Sequence, residues 1–266
     1  MNRKEQIRYA FAGNREIAVS ILQFLVGEGA LPHALLLPDK SDDALHELRT
    51  LCPHLPPERV LKGSQFREPD GVALLKSLSL DYLICIHFPF IIPSSVLEIP
   101  RIGAINLHPA YLPYNRGWHT PSWAILEGTP FGATLHFMSE GLDEGDVIHQ
   151  RRIDVGPCET ADSLYEAALA TETMVFKEAW PSIKDRQPPA TPQPDGVGTA
   201  HKKADLLSPD IQEIHLDEPA TARELIRHLR ALTTNRIEEA AYFRVEGGRC
   251  RIQIMCNWIP DEIHQE

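Results

Sequence analysis

Asn106 and His108 stand two positions apart in the stretch NLHPAYLPYNRG, at the end of the apolar run IGAI, and Asp143 follows in SEGLDEGDVI. Side chains alternate along a strand, so the carboxamide and the imidazole share a face. Taken singly, each residue has an ordinary use: histidines at strand ends are mostly hydrogen-bonded scaffold, and an aspartate among glycines usually forms a turn. Together they make a chemical set. A neutral imidazole accepts a proton near pH 7, a carboxylate fixes its tautomer or favours its charged form, and a carboxamide donates to a developing oxyanion. Those are the functions needed to move an acyl-level carbon onto an amine.

Bulk properties narrow the setting. The chain has 266 residues, 43% of them hydrophobic, enough for one large domain or a main domain with an annex. A formal net charge of -11 at pH 7 opposes a nucleic-acid platform while leaving room for a local basic pocket that takes one phosphorylated ligand. The 5 cysteines form no CxxC pair, and their odd number suits a reduced cytoplasm. Among the 12 histidines there is no HExxH and no tight Cys/His cluster, so no metal is expected. The start MNRKEQIRYAFAGNRE carries no long apolar region, and no stretch reaches the roughly 18 uninterrupted apolar residues of a membrane span. The expectation is a soluble cytoplasmic protein without membrane insertion.

The pattern that must position the three residues is one of alternating strands and helices. IRYAFAG reads as a strand and NREIAVSILQFLVGEG as a helix; HALLLP, RVLK, DYLICIHF and IGAINLH follow as strands, with ALHELRTLC and DGVALLKSLSL as helices between them. Near-continuous apolar strands separated by helices imply a Rossmann-like α/β fold, a mostly parallel sheet with helices on both faces. Ligands of such sheets sit at the carboxyl ends of the strands, which is where Asn106 and His108 fall. Beyond them TPSWAILEG reads as a helix, GATLHFMS and GDVIHQRRIDV as strands, and ADSLYEAALATETMVFKEAWPSI as a long helix.

Composition then changes. KDRQPPATPQPDGVGT is dense in proline and glycine and reads as a linker. The expected division is therefore a catalytic domain over 1–185, a linker over 186–205, and a small C-terminal region over 206–266 made of the helix PATARELIRHLRAL and a hairpin, AAYFRVEGG with CRIQIMCNW, about Gly247 and Gly248. FAGNRE has a single glycine and is no dinucleotide fingerprint; it is a tight turn, and Asn14 and Arg15 beside a helix N-terminus are candidates to hold an anionic group of the substrate.

NLHPAYLPYNRG followed by WAILEGTPFGATLHFMSEGLDEGDVI resembles the core of the 10-formyltetrahydrofolate-dependent formyltransferases: Asn-x-His-Pro, Leu-Pro-x-x-Arg-Gly, Gly-x-Thr and Asp-x-Gly, in that order. The resemblance covers roughly residues 7 to 184. It implies that Asn106, His108 and Asp143 are the catalytic trio, that 10-formyltetrahydrofolate is the cosubstrate, and that HFPFIIPSSVLEIP receives its pterin, with Phe88, Phe90 and Ile91 as contacts. Plain core packing is the competing use of those three apolar residues. An amine would attack the formyl carbon directly. Both roles, general base and oxyanion donor, stay open for His108.

Members of that family formylate methionyl-tRNA, glycinamide ribonucleotide or nucleotide-linked amino sugars, and a related branch is hydrolytic. Residues 206–266 hold seven arginines and no lysine against eleven acidic residues, which opposes a tRNA backbone. The purine-pathway enzyme is expected to end near the long helix, and the hydrolytic branch to carry a regulatory domain ahead of the first strand. Elimination favours the sugar branch, with a dTDP- or GDP-linked 4-amino-4,6-dideoxyhexose as partner substrate and bacterial surface polysaccharide (O-antigen) as destination. In that reading Tyr114, Asn115, Arg116, Trp118 and His119 border the acceptor, against the competing view that the loop merely packs on itself. The terminal hairpin is expected to pair with a second copy to give a homodimer. The rival from another class is a folate or nucleotide-sugar binding module without turnover.

Overall fold

The computed structural model describes residues 6–40 and 43–260, so the first five residues of the start MNRKEQIRYAFAGNRE lie outside the description. In chain order the elements are β1 (Tyr9–Gly13), α1 (Arg15–Gly27), β2 (Ala34–Leu37), α2 (Asp43–Thr50), β3 (Val60–Lys62), α3 (Pro69–Ser77), β4 (Tyr82–Ile86), α4 (Ser94–Leu97), β5 (Gly103–His108), β6 (Arg116–Gly117), α5 (Thr120–Glu127), β7 (Phe131–Phe137), β8 (Val147–Ile153), α6 (Ala161–Lys184), β9 (Ala200–His201), α7 (Pro209–Gln212), α8 (Ala222–Ala231), β10 (Ala241–Val245) and β11 (Gly248–Ile252). Two compact units result: Met1–His108, Ala133–Arg151 and Leu169–Gly196 make the first, and Pro109–Gly132, Arg152–Ala168 and Val197–Glu266 the second.

The first unit is built on a seven-stranded sheet of order β3-β2-β1-β4-β5-β7-β8. The five strands from β3 to β5 run parallel, and β7 returns antiparallel to β5. Alternation along each strand feeds two cores. Tyr9, Phe11, Leu35, Leu37, Tyr82, Ile84, Ile105 and Leu107 face one side, under Ile21, Leu22 and Leu25 of α1, Leu48 of α2, and Phe176 and Trp180 of α6. Ala10, Ala12, Leu36, Leu83, Cys85 and Ala104 face the other, under Leu75 of α3, Val96 of α4 and Phe66. Burying a strand on both faces is what makes its sequence uniformly apolar. The Rossmann-like α/β fold expected from that pattern is the one observed.

The second unit has smaller cores. Ala124, Ile125, Phe131, Leu164, Ala168 and Ala231 form one; Trp123, Leu206, Leu232 and Ala241 form another. The start of α8 is set by a capping box in which Thr221 accepts from the Glu224 backbone and Glu224 reaches back to Thr221. The β10–β11 hairpin forms as expected, with Val245 opposite Gly248 and Gly247 at φ 83°. Its second strand stops at Ile252, although the apolar pattern runs on to Trp258. The ladder ends because β10 begins at Ala241, opposite Ile252, and a 3-10 turn at Ile237–Glu239 precedes it. Met255 and Trp258 are consequently exposed.

The proline-rich stretch is not a free tether. Within the first unit Thr191 and Val147 exchange backbone hydrogen bonds of 2.8 and 3.0 Å, and in the second unit β9 pairs with β6. Among the described residues no helix is long and apolar enough to cross a membrane.

Candidate active site

Asn106 and His108 continue the face of β5 that carries Ala104, as alternation requires. The antiparallel register of β5 with β7 sets Asn106 opposite His136 and His108 opposite Thr134. His136 is a site residue that sequence reasoning missed; its place depends on a strand pairing that sequence spacing does not display. Its Nδ1 lies 2.7 Å from the Phe137 carbonyl and its Nε2 lies 3.3 Å from Asn106 Nδ2. A carbonyl only accepts, so Nδ1 carries a proton; when the ring is neutral, Nε2 is the acceptor that faces the Asn106 amide. One of the two Asn106 N–H donors is thereby oriented.

Asp143 comes to the same place from the loop after β7. Its carboxylate stands 3.5 Å from His108 Nε2 and 3.6 Å from His136 Nε2, at ion-pair range. The site is shielded: the His108 side chain is 8% exposed, Asp143 13% and His136 1%. Low exposure strengthens each electrostatic contact relative to water. Asp143 holds a left-handed backbone, φ 53°, unusual outside glycine. Two residues on, Gly145 lies so close to β7 that a Cβ would come within 1.8 Å of the Phe137 carbonyl oxygen. The glycine of the Asp-x-Gly motif is therefore steric in origin.

On the same face of the sheet Phe66, Phe88 and Phe90 pack together, Phe66 edge-on to Phe88 and the other pairs tilted, with centroids 5.3 to 6.1 Å apart. Phe88 and Phe90 lean on the second core while staying partly exposed, and Ile91 is 87% exposed. Core packing thus accounts for part of Phe88 and Phe90 and for none of Ile91. Phe88 and Phe90 thus present partly exposed apolar ring surface.

The strand order reverses between β1 and β4, the switch point at which such sheets open a crevice. Asn14 is there, its backbone N–H donating to the Ile86 carbonyl at 3.1 Å, and Arg15 follows at φ 66°. His87, directly after β4, points its Nε2 at Glu172 of α6, 2.9 and 3.1 Å from the two oxygens. Glu172 is fully buried. Neither member of this pair stands out in the sequence, since a glutamate inside an amphipathic helix that also carries Glu166 and Glu178 reads as solvent-facing.

In the second unit the loop before α5 has its own bonding. Asn115 is fully buried: its backbone N–H donates to Thr199, its Nδ2 to the Pro130 carbonyl, and its Oδ1 accepts from Thr129. That carboxamide braces the loop and is not presented to a ligand, a correction to its place among the acceptor contacts. His119 gives its Nε2–H to the Lys203 carbonyl at 3.2 Å, with Glu239 3.7 Å from Nδ1; burial first of all holds its pKa below the usual histidine value. Arg116 forms β6, and Tyr114 is half-buried. Trp118 is 42% exposed, with Lys203 Nζ 5.0 Å above its ring. Among the described residues no three His, Cys, Asp or Glu side chains gather as a metal site.

Comparison with known proteins bears on this geometry. The profile described as formyl transferase matches residues 39–180, and that described as N-formyltransferase dimerization C-terminal domain matches residues 209–255. A methionyl-tRNA formyltransferase of Myxococcus xanthus is 31% identical over 239 residues, 85% of this chain and 72% of that protein. One of Geobacter metallireducens is 40% identical over 118 residues, and the match spans only 38% of its length. Among solved structures, a sugar N-formyltransferase from Shewanella superposes with a TM-score of 0.79 at 21% identity, over 96% of this chain and 99% of that one. The formyltransferase PseJ from Anoxybacillus kamchatkensis, solved with UDP-4,6-dideoxy-4-formamido-L-AltNAc and tetrahydrofolate, gives a TM-score of 0.55 at 25% identity, over 74% and 87%.

Proposed function

The chain belongs to the formyl transferase family, and from that premise we propose that it moves a formyl group from 10-formyltetrahydrofolate to the primary amine of a nucleotide-linked amino-dideoxy sugar. The observation that carries the chemistry is the buried meeting of Asn106, His108, Asp143 and His136. The folate, as cosubstrate, brings the formyl group on its N10, and Phe88, Phe90 and Ile91 are the candidates to receive its pterin. The amine nitrogen bonds to the formyl carbon to give a tetrahedral intermediate, and the bond from that carbon to N10 breaks when the intermediate collapses. The second N–H of Asn106 holds the oxygen while it carries negative charge. His108 takes the proton that the amine loses, Asp143 stabilises the resulting imidazolium, and the proton passes to N10. No cysteine or serine stands in the set, so the formyl group crosses directly.

The choice of acceptor rests on charge. The arginines of residues 206–266, outnumbered by acids, oppose a tRNA phosphate backbone. Likeness to PseJ, solved with a UDP-linked formamido sugar, supports the same acceptor class. A 4-amino-4,6-dideoxyhexose on dTDP or GDP, made in the cytoplasm for surface polysaccharide, is the acceptor we favour. Tyr114, Arg116, Trp118 and His119 remain the acceptor-loop candidates, and Asn14 and Arg15 those for its anionic part. The names of the curated relatives favour a second reading, methionyl-tRNA as acceptor. Incubation with 10-formyltetrahydrofolate and each acceptor, read by mass spectrometry, decides: the nucleotide aminosugar should gain one CO. Formylation of methionyl-tRNA and of no nucleotide aminosugar would overturn the choice. Two copies assemble through the C-terminal unit, where Ile226, Ile237 and Val245 are exposed, and a monomeric mass in solution would contradict this.

A further inference from the structure

We infer that Gln193, in the proline-rich segment after α6, is a positioning residue for Asp143; the inference rests on the formyl-transfer reading of the site. Its Nε2 donates to two carbonyl oxygens of the loop, those of Asp143 and Gly145, at 2.8 Å each. Two acceptors facing one atom identify it as the amide nitrogen, and both of its hydrogens are engaged. The segment is itself fixed at the edge strand, since Thr191 and Val147 bond in both directions and Val147 opens β8 immediately after the loop.

The loop needs such a hold. Asp143 occupies the left-handed region, which most non-glycine residues avoid and which the surroundings must hold. On one side of the loop the Phe137 backbone N–H donates to the Asp146 carbonyl at 2.9 Å, and Gly145 lies against the Phe137 carbonyl. Those contacts fix the end of the loop, whereas Gln193 fixes the carbonyl of Asp143 itself. With that peptide turned, the carboxylate leaves its place 3.5 Å from His108 and 3.6 Å from His136. Glu144 and Asp146 follow Asp143 on the loop, so a turned loop would also change which carboxylate faces the two imidazoles.

The discriminating variant is Gln193→Met, close in volume, neutral and without donors. We expect kcat to fall about 10²-fold, the usual scale of a displaced catalytic group, with KM for both substrates nearly unchanged. Amide exchange at Phe137 should rise as the loop loosens, and the thermal midpoint should move little. A Gln193→Met enzyme with kcat within twofold of the wild type, or with lowered kcat but raised KM, overturns the inference. Unchanged exchange at Phe137 overturns it independently of any substrate. A wild-type protein inactive towards every amine would instead sink the functional reading, with the exchange measurement still deciding the hold of Gln193 on the loop.

Discussion

His136 faces Asn106 across the β5–β7 pairing, and its Nε2 lies 3.3 Å from the Asn106 amide nitrogen. Because the Phe137 carbonyl fixes the His136 tautomer, the ring dictates which end of the Asn106 carboxamide carries the donors. Asn106→Ala should lower kcat about 10²–10³-fold, the cost of one oxyanion donor. His136→Phe keeps the ring volume but releases the carboxamide and should cost less, and the double variant should be no worse than Asn106→Ala alone. Full additivity in steady-state kinetics would show that His136 acts independently of Asn106.

The His108 and Asp143 pair gives a second expectation. His108→Ala removes the proton acceptor and should reduce turnover by about 10²–10⁴-fold, while circular dichroism and the melting temperature stay close to wild type. Asp143→Asn keeps the shape and loses the charge that stabilises the imidazolium. It should lower kcat more than it raises KM. Wild-type turnover in His108→Ala would remove that residue from the mechanism.

A third expectation concerns stability, at the switch point. His87 turns its Nε2 onto both oxygens of Glu172, which is wholly out of solvent. Asparagine tolerates the left-handed backbone of His87, φ 50°, but is too short to reach the carboxylate. His87→Asn should therefore destabilise the fold by about 3–5 kcal/mol by leaving a buried charge unpaired. Adding Glu172→Leu should return part of that loss in urea unfolding. A single variant as stable as wild type would mean that water reaches Glu172.

How much of this could be read from residue order alone follows from the range of each interaction. The parallel sheet was legible because alternating burial of Tyr9 and Phe11 against Ala10 and Ala12 leaves β1 apolar throughout. Asn106 and His108 were legible because two positions along one strand fix a shared face. His136 was hidden by a register between strands, and Gln193 by lying in a stretch whose prolines suggest a tether. Asn115 misled for a related reason: a polar residue in a Pro-Gly loop suggests a ligand contact, but its partners are Thr129, Pro130 and Thr199. Ile91 is exposed, so the core packing that competed with its place among the pterin contacts does not account for it.

The last expectation is a pH dependence, at the end of the sheet opposite the site. Asp81 is 1% exposed, and burial by itself would raise its pKa. The Arg8 backbone N–H at 2.9 Å, the Arg101 guanidinium at 2.5 Å and the Arg186 charge outweigh burial and hold the carboxyl below its ordinary value. The unfolded chain then takes up the proton first as pH falls. Stability from Asp81 is whole above the unfolded value, about pH 4, and is lost as pH drops through the lower folded value. Urea unfolding of wild type and Asp81→Asn should show a gap that is constant from neutral pH down to about 5 and closes below about 4. A gap that persists undiminished into strong acid would mean that shape complementarity to the three arginines, not the carboxylate charge, is what Asp81 contributes.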